Sequence, residues 1–165
     1  MVNLANMCAI TIQVEFGSFE QAEKLEQDLN VMLERNDNGS GFLKLDQMSL
    51  GHVYVRRCNH EITIEGEVKW GTNDDEMKSL LHWFQARADV CTFEVTYEEP
   101  GCGLFGTYSY DDMEPDVLLN VYVPQEKWPA DYDRDDWFDK LYNLLETDSE
   151  DRQIDLKTGG DNADI

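Results

Sequence analysis

Residues 8–16, CAITIQVEF, alternate apolar and polar side chains. This period of two, in a segment rich in β-branched residues, predicts a β-strand with one buried face. Gly17 follows, and Ser18 then stands three residues before Gln21, which is the spacing of a capping box. Beyond this cap, apolar residues recur at helical spacing at Phe19, Ala22, Leu25, Leu29 and Met32 or Leu33. We therefore expect a strand followed by a helix that ends near Arg35.

The next hundred residues continue to alternate strands with helices. Residues 53–55 and 61–70 predict two strands joined by a turn at 58–60. Residues 72–76 open a second helix, with acidic side chains in its first turn, where the helix dipole favours them. Its expected buried face consists of Met77, Leu80, Leu81 and Phe84. Residues 42–50 show no clear period, and we expect them to be irregular.

The last part of the chain adds strands and a third helix. Residues 90–97, 104–110 and 117–123 have the composition of strands. Residues 131–146 contain a helix with apolar residues at helical spacing, namely Trp137, Leu141, Leu144 and Leu145. Residues 147–165 are acidic and polar and are expected to form a tail.

This order predicts the α+β class. We expect a ferredoxin-like sandwich of antiparallel or mixed sheet with two helices on one face, plus an extra C-terminal strand and helix. The corresponding division is a ferredoxin-like domain over 1–123, an acidic helical extension packed on it over 124–146, and an acidic tail over 147–165.

Charge is the most unusual property of the sequence. The formal net charge is −22, from 35 acidic and 13 basic residues. Small soluble domains usually carry a magnitude of about 2–8. Residues 111–165 alone hold 17 acidic and five basic residues. A field of this sign repels nucleic acids and membrane surfaces and attracts basic proteins, so direct nucleic-acid binding and membrane binding are not expected.

Composition indicates a folded cytoplasmic protein. Hydrophobic residues make up 41% of the chain and aromatic residues 11%, whereas disordered acidic chains are poor in aromatic residues. No apolar run reaches the roughly 18 residues that cross a bilayer, and no leader pattern opens the chain. The cysteines are widely spaced, as is typical of reduced thiols, although their even number leaves disulfides open: Cys8, Cys58, Cys91 and Cys102.

No motif predicts catalysis, a cofactor or a metal. The sequence has no nucleophile elbow, phosphate loop or HExxH pattern. Asp131, Asp133 and Asp135 resemble the start of a calcium loop, but Asp136 stands where such a loop needs Gly and Tyr142 where it needs Glu. Cys58, His60 and His52 lie close in sequence without a second ligand pair at metal-site spacing. We predict a protein that is not an enzyme.

Residues 97–108, YEEPGCGLFGTY, place two acids before a Pro-Gly turn and a Gly-flanked strand. This stretch resembles the YubB-type ferredoxin-like domain family of plasmid, phage and pathogenicity-island proteins, and residues 62–110 match best. The sequence departs from that pattern at 71–72, where members often have prolines. The resemblance implies a ferredoxin-like fold, a mobile genetic element as the source and a host bacterial cytoplasm as the location, and it carries no catalytic residue across. Within the turn, Gly103 and Gly106 indicate a bulge or a close backbone approach.

Residues 125–139, QEKWPADYDRDDWFD, interleave aromatic and acidic side chains. The predicted partner-binding residues are Asp131, Asp133, Asp135, Asp136 and Asp139, with Trp128 and Tyr132 as anchors and Glu98 and Glu99 as a second patch. We expect an inhibitor from a mobile element that occludes the basic nucleic-acid site of a host defence nuclease or CRISPR effector.

Two alternatives remain open at this point. Trp128 and Trp137 are equally consistent with closing the core over the third helix. The whole chain is also consistent with a non-catalytic interaction module or assembly subunit, whose acidity serves only solubility. Both the inhibitor and the interaction module are expected to be a monomer or a small homo-oligomer.

Overall fold

The computed structural model describes residues 7–35, 41–69, 72–99, 104–130 and 135–157. Its elements are, in chain order, β1 (Met7–Phe16), α1 (Phe19–Met32), β2 (Glu34–Arg35), β3 (Gly41–Leu45), β4 (Met48–Cys58), β5 (Glu61–Lys69), α2 (Asp74–Gln85), β6 (Val90–Glu99), β7 (Leu104–Asp111), β8 (Val117–Tyr122), a short 3-10 helix (Gln125–Lys127), α3 (Trp137–Thr147) and β9 (Glu150–Asp155).

The strands form one sheet of nine, in the order β2-β3-β4-β5-β1-β6-β7-β8-β9. Every pairing is antiparallel. The α+β class is therefore confirmed. The expected two-helix ferredoxin-like sandwich is wrong, because the sheet is much larger than in such a sandwich and three helices, not two, pack against it. The four central strands are β4-β5-β1-β6. Along the chain, α1 lies between β1 and β4, and α2 lies between β5 and β6. The sheet extends beyond these four strands at both edges.

Helices α1 and α2 cover one face of the sheet. Leu25 and Leu29 of α1 belong to the same buried cluster as Leu81 and Phe84 of α2 and the inward side chains of β1, such as Ile12. Helix α1 begins at the cap expected from the sequence, and α2 begins at a similar side-chain cap within the predicted opening segment 72–76. Ser18 Oγ accepts a hydrogen bond from the backbone N–H of Gln21 at 3.2 Å, and Asn73 Oδ1 accepts one from that of Glu76 at 2.9 Å.

Helix α3 packs on the opposite side of the sheet. Its side chains Trp137 and Leu141 form a second buried cluster with Phe105 and Val123. Phe105 stands directly opposite Glu98 in the register, on the side of β7 that points away from α1 and α2. We call the sheet surface opposite α1 and α2 the open face. Helix α3 stands over one end of it.

Two segments differ from the sequence prediction. Residues 42–50 are not irregular, because they form a tight hairpin of β3 and β4 around Asp46, whose φ is 55°. The predicted acidic tail, 147–165, is wrong over 150–155, where β9 pairs with β8. An edge strand with mostly exposed polar side chains has no hydrophobic period to reveal it. The Pro-Gly turn, 100–103, lies outside the described residues.

Candidate functional site

The open face is built from rows of side chains that the strand register places side by side. Successive side chains of a strand point to opposite faces, so each row takes one residue from each strand. One row consists of Tyr54, Glu65, Thr11, Thr96, Thr107 and Val121. The next consists of Arg56, Thr63, Gln13, Glu94, Ser109 and Leu119. A third consists of Cys58, Glu61, Glu15, Thr92 and Asp111. The result is a surface of mainly polar and acidic side chains.

Carboxylates dominate the charge of this face. From β5 to β9 in the sheet order, they are Glu15, Glu61, Glu65, Glu67, Glu94, Glu98, Asp111, Asp151 and Asp155. Among the described residues of these strands, Lys69 is the basic side chain that shares the face with them. The face is therefore strongly negative, although its acids come from five separate strands.

Two of these acids contact side chains of β4 at the margin of the open face. Arg56 Nη2 lies 2.9 Å from Glu65 Oε1, and His52 Nδ1 lies 3.1 Å from Glu67 Oε2. Further in, neither Glu61 nor Glu94 has an ion-pair partner within the part of the chain that the structure describes. The part of the open face away from α3 thus carries carboxylates that are free to meet an external cation.

A shallow hollow of about 510 Å³ lies at the end of the open face away from α3. Its lining includes the carboxylates of Glu61, Glu94, Asp111 and Glu114. The turn between β7 and β8 forms one lip, where Asp111 Oδ1 accepts a hydrogen bond from the backbone N–H of Met113 at 2.9 Å. The Met113 side chain is 85% exposed on this lip. The hollow therefore combines an acidic wall with one exposed apolar side chain.

The pKa values of neighbouring groups reflect this negative potential. Burial raises the pKa of the Cys91 thiol, and the charges of Asp112, Glu15, Asp89 and Asp111 raise it further. A thiol whose pKa is raised is a poor nucleophile at neutral pH, because the thiolate is the reactive form. Cys91 therefore gives no support to a catalytic role for this end of the sheet.

Glu98, from the second predicted patch, lies beside α3 rather than free in solvent. It is half-buried and stands opposite Phe105, whose ring centroid is 5.0 Å from that of Tyr142 on α3. Burial raises the pKa of the Glu98 carboxyl. Burial also raises the pKa of Tyr142, and the charge of Glu98 adds to that increase. Tyr142 and Glu98 thus mark the junction between α3 and the open face.

The raised pKa of Glu98 predicts a pH-dependent effect on stability. Because folding favours the protonated form, the ionised carboxylate destabilises the fold above the folded-state pKa, and this penalty disappears as the pH falls below the unfolded value. We expect Glu98→Gln to raise the Tm at pH 7 by a few degrees and to leave it unchanged at pH 4. Glu94→Gln, at an exposed position of the same strand, is the control. An equal Tm difference at both pH values would contradict the prediction, and thermal unfolding followed by circular dichroism measures it.

The predicted acidic run is only partly within the described residues. Asp135 and Asp139 are exposed, and Asp136 is half-buried with its Oδ2 3.6 Å from Lys140 Nζ. Asp131, Tyr132, Asp133 and the side chain of Glu99 lie outside the described residues. The partner-binding role of this set stays a prediction.

The two tryptophans of this region close the core under α3. Trp128 is half-buried, and its Nε1 donates to the carbonyl oxygen of Val123 at 2.9 Å. Its ring centroid lies 5.4 Å from that of Trp137, which is 3% exposed. Trp137 Nε1 donates to the carbonyl oxygen of Pro129 at 3.2 Å. Trp128 therefore has a packing role, which agrees with the structural alternative for these residues.

A polar network that the sequence did not indicate lies on the other side of the sheet, at the start of α2. Asp74 Oδ1 accepts hydrogen bonds from Tyr108 and from Arg152 Nη2, both at 2.8 Å. Arg152 Nη2 also donates to Asn120 Oδ1 at 2.9 Å, and Asn120 Nδ2 donates to the Tyr97 hydroxyl at 3.1 Å. Burial raises the pKa of both tyrosines, so both stay protonated. The network ties β9 to α2.

The described residues contain no group of three His, Cys, Asp or Glu side chains placed to hold a metal ion. Within the same residues, no helix is both long enough and apolar enough to cross a membrane.

No family model matches the chain, and neither a curated protein nor a solved structure matches it. The similarity of residues 62–110 to the YubB-type domains stays a prediction.

Proposed function

We propose that this protein binds a basic partner through the open face and blocks the partner's nucleic-acid site. The observation that carries the proposal is the one-sided charge of β5, β1, β6 and β7, where carboxylates share a surface with one described basic side chain, Lys69. The resemblance to proteins of mobile elements suggests the class of partner, namely a host defence nuclease or a CRISPR effector.

The physical basis is a fixed array of negative charges. Neighbouring strands lie about 4.8 Å apart, and alternate residues of one strand are about 6.7 Å apart. Carboxylates such as Glu65 and Glu67, which share the open face on β5, are therefore held at short, regular spacings. A cationic groove that reads phosphate groups through Lys and Arg side chains meets a comparable array here. Since the sheet already orders the backbone, binding does not have to pay for ordering it.

Long-range attraction supports the same role. A net charge of −22 steers a basic partner towards the protein and raises the association rate at low ionic strength. The same charge opposes a direct approach to DNA or RNA. An occluding inhibitor makes use of both effects, because it must find a basic groove and compete there with nucleic acid.

The test compares two charge-reversal variants that change the net charge equally. Glu61→Lys with Glu94→Lys acts in the hollow of the open face, and Glu20→Lys with Glu23→Lys acts on α1 across the sheet. Purified RNA-guided effectors and restriction nucleases are titrated with each variant while displacement of a labelled DNA duplex is measured. We expect the wild type to displace the duplex at low salt and the open-face variant to need at least about tenfold more protein. The α1 variant is expected to stay close to wild type.

Three other outcomes would contradict the proposal in part or as a whole. Equal losses in both variants would mean that total charge, rather than the open face, drives binding. Displacement that does not weaken between about 50 and 300 mM salt would favour a module that docks through apolar contacts. If the wild type displaced the duplex from none of the tested proteins, the occlusion mechanism would be rejected. Misfolding is not expected to confuse the result, because Glu61 stands opposite Glu15 and lysine there removes a like-charge pair.

A further inference from the structure

The outward side of α3 carries a stripe of acidic and aromatic side chains. The stripe begins at Asp135, two residues before the helix, and continues on the helix with Phe138, Asp139, Tyr142 and Glu146, which follow at i+3, i+4, i+7 and i+11. All of them are exposed, whereas Trp137 and Leu141 on the other side of the helix are buried. Phe138 is 42% and Tyr142 43% exposed. Two large aromatic rings are thus presented to solvent among carboxylates.

Packing holds both rings in place. The Phe138 ring lies 5.0 Å from that of Trp137 at an interplanar angle of 81°. The Tyr142 ring lies 5.0 Å from that of Phe105 at 77°. These edge contacts are with side chains of the buried cluster under α3. Each ring is therefore packed along one edge while part of its surface stays accessible to a partner.

Elsewhere the protein holds two of its five described arginines with the same combination of groups. Arg57 lies over the Phe19 ring, with 4.6 Å from Cζ to the centroid, and its Nε is 2.9 Å from Glu26 Oε1. Both of these partners belong to α1, so one helix face supplies the ring and the carboxylate. Arg152 likewise combines the Tyr122 ring at 5.6 Å with Asp74 Oδ1 at 2.8 Å. A ring and a carboxylate thus hold a guanidinium group together at two places in this fold, whereas Arg56 pairs with Glu65 and Arg87 lies over Trp83.

We propose that the stripe on α3 binds arginine side chains of the basic partner. Guanidinium groups stack on Phe138 and Tyr142 while they pair with carboxylates of the stripe such as Asp139. Arginine suits these groups better than lysine, because its planar and weakly hydrated cation stacks on rings and donates in a fork. This inference rests on the proposed function, since it assumes that the partner is basic.

The position of Tyr142 makes the stripe continuous with the open face. Tyr142 contacts Phe105, and the charge of the neighbouring Glu98 reaches it. A partner that lies across the open face therefore meets the flank of α3 at this point. The open face contributes the general attraction between opposite charges, and the stripe contributes the preference for arginine over lysine.

The test uses hexa-arginine and hexa-lysine as probes with the full-length protein, and calorimetric titration gives both affinities. We expect the wild type to bind hexa-arginine about fivefold more tightly than hexa-lysine. Replacing both rings, Phe138→Leu with Tyr142→Leu, keeps apolar side chains on the helix and is expected to abolish this preference while hexa-lysine binding changes less than about twofold. The open-face variant Glu61→Lys with Glu94→Lys is expected to weaken both peptides and to keep the preference.

The outcomes separate the two proposals. Equal binding of the two peptides by the wild type, or a preference that survives loss of both rings, would overturn the arginine stripe. Failure to inhibit any nuclease, with the preference intact, would contradict the occlusion mechanism alone. If the double variant is unstable by thermal unfolding, Phe138→Leu decides the question on its own. Phe138 is exposed, and replacing its ring is expected to remove about half of the free-energy difference between hexa-arginine and hexa-lysine binding.

Discussion

Gly106→Ala is expected to destabilise the protein by about 2–3 kcal/mol, because the structure has no space for a methyl group at this position. A Cβ built there would lie 2.5 Å from the carbonyl oxygen of Val121 and 2.6 Å from the hydroxyl of Tyr97. It would also lie 2.9 Å from the Cα of Tyr122. Two of these three neighbours are backbone atoms in the paired strand, so a side-chain rotation cannot relieve the overlap. Strand β8 would have to move away from β7.

Thermal and denaturant unfolding measure this effect, and a second glycine provides the control. No atom of the described residues lies within 4 Å of a Cβ built on Gly51, so Gly51→Ala is expected to be neutral or slightly stabilising. For a chain of this size, 2–3 kcal/mol corresponds to a fall in Tm of roughly 5–10 °C. Similar Tm values for the two variants would show that β7 and β8 accommodate a side chain more easily than the distances indicate.

Sequence patterns correctly predicted the elements whose formation depends on residues close together in the chain. The period of two in 8–16, the Ser18 cap and the acidic start of α2 depend on neighbouring residues, and each lies where we expected it. Gly106 was also correctly marked as a close backbone approach. The error at 150–155 concerns an edge strand whose exposed polar side chains give little periodic signal. In 42–50 the buried side chains do alternate with exposed ones, but each run is short, the exposed Phe42 breaks the apolar pattern and a turn at Asp46 interrupts it.

The open face shows why the candidate site was harder to predict than the fold. Glu61, Glu94 and Asp111 are distant in sequence, and only the register through β1 and β6 brings them to one surface. The cluster of five aspartates within 131–139 was the more visible signal, although part of it lies outside the described residues. A better signal was available, because the polar positions of several predicted strands are repeatedly Glu or Thr.

Trp137→Ala is expected to cost about 3–5 kcal/mol and to release α3 from the open face. The side chain is 3% exposed and fills the centre of the small cluster with Phe105, Val123 and Leu141. Its indole nitrogen also loses the hydrogen bond to the Pro129 carbonyl. This cluster is separate from the main core under α1 and α2, so the loss should remain local at first.

Hydrogen exchange distinguishes local release from global unfolding. In the Trp137→Ala variant, amide protection is expected to fall in α3 while the central strands β1 and β5 remain protected. Phe138→Ala is the matched control, because the adjacent ring is 42% exposed and its removal is expected to cost less than about 1 kcal/mol. If protection fell equally in β1 and α3, the second cluster would be part of one cooperative core. In that case α3 could not serve as a separate recognition element, since any change in its packing would alter the open face as well.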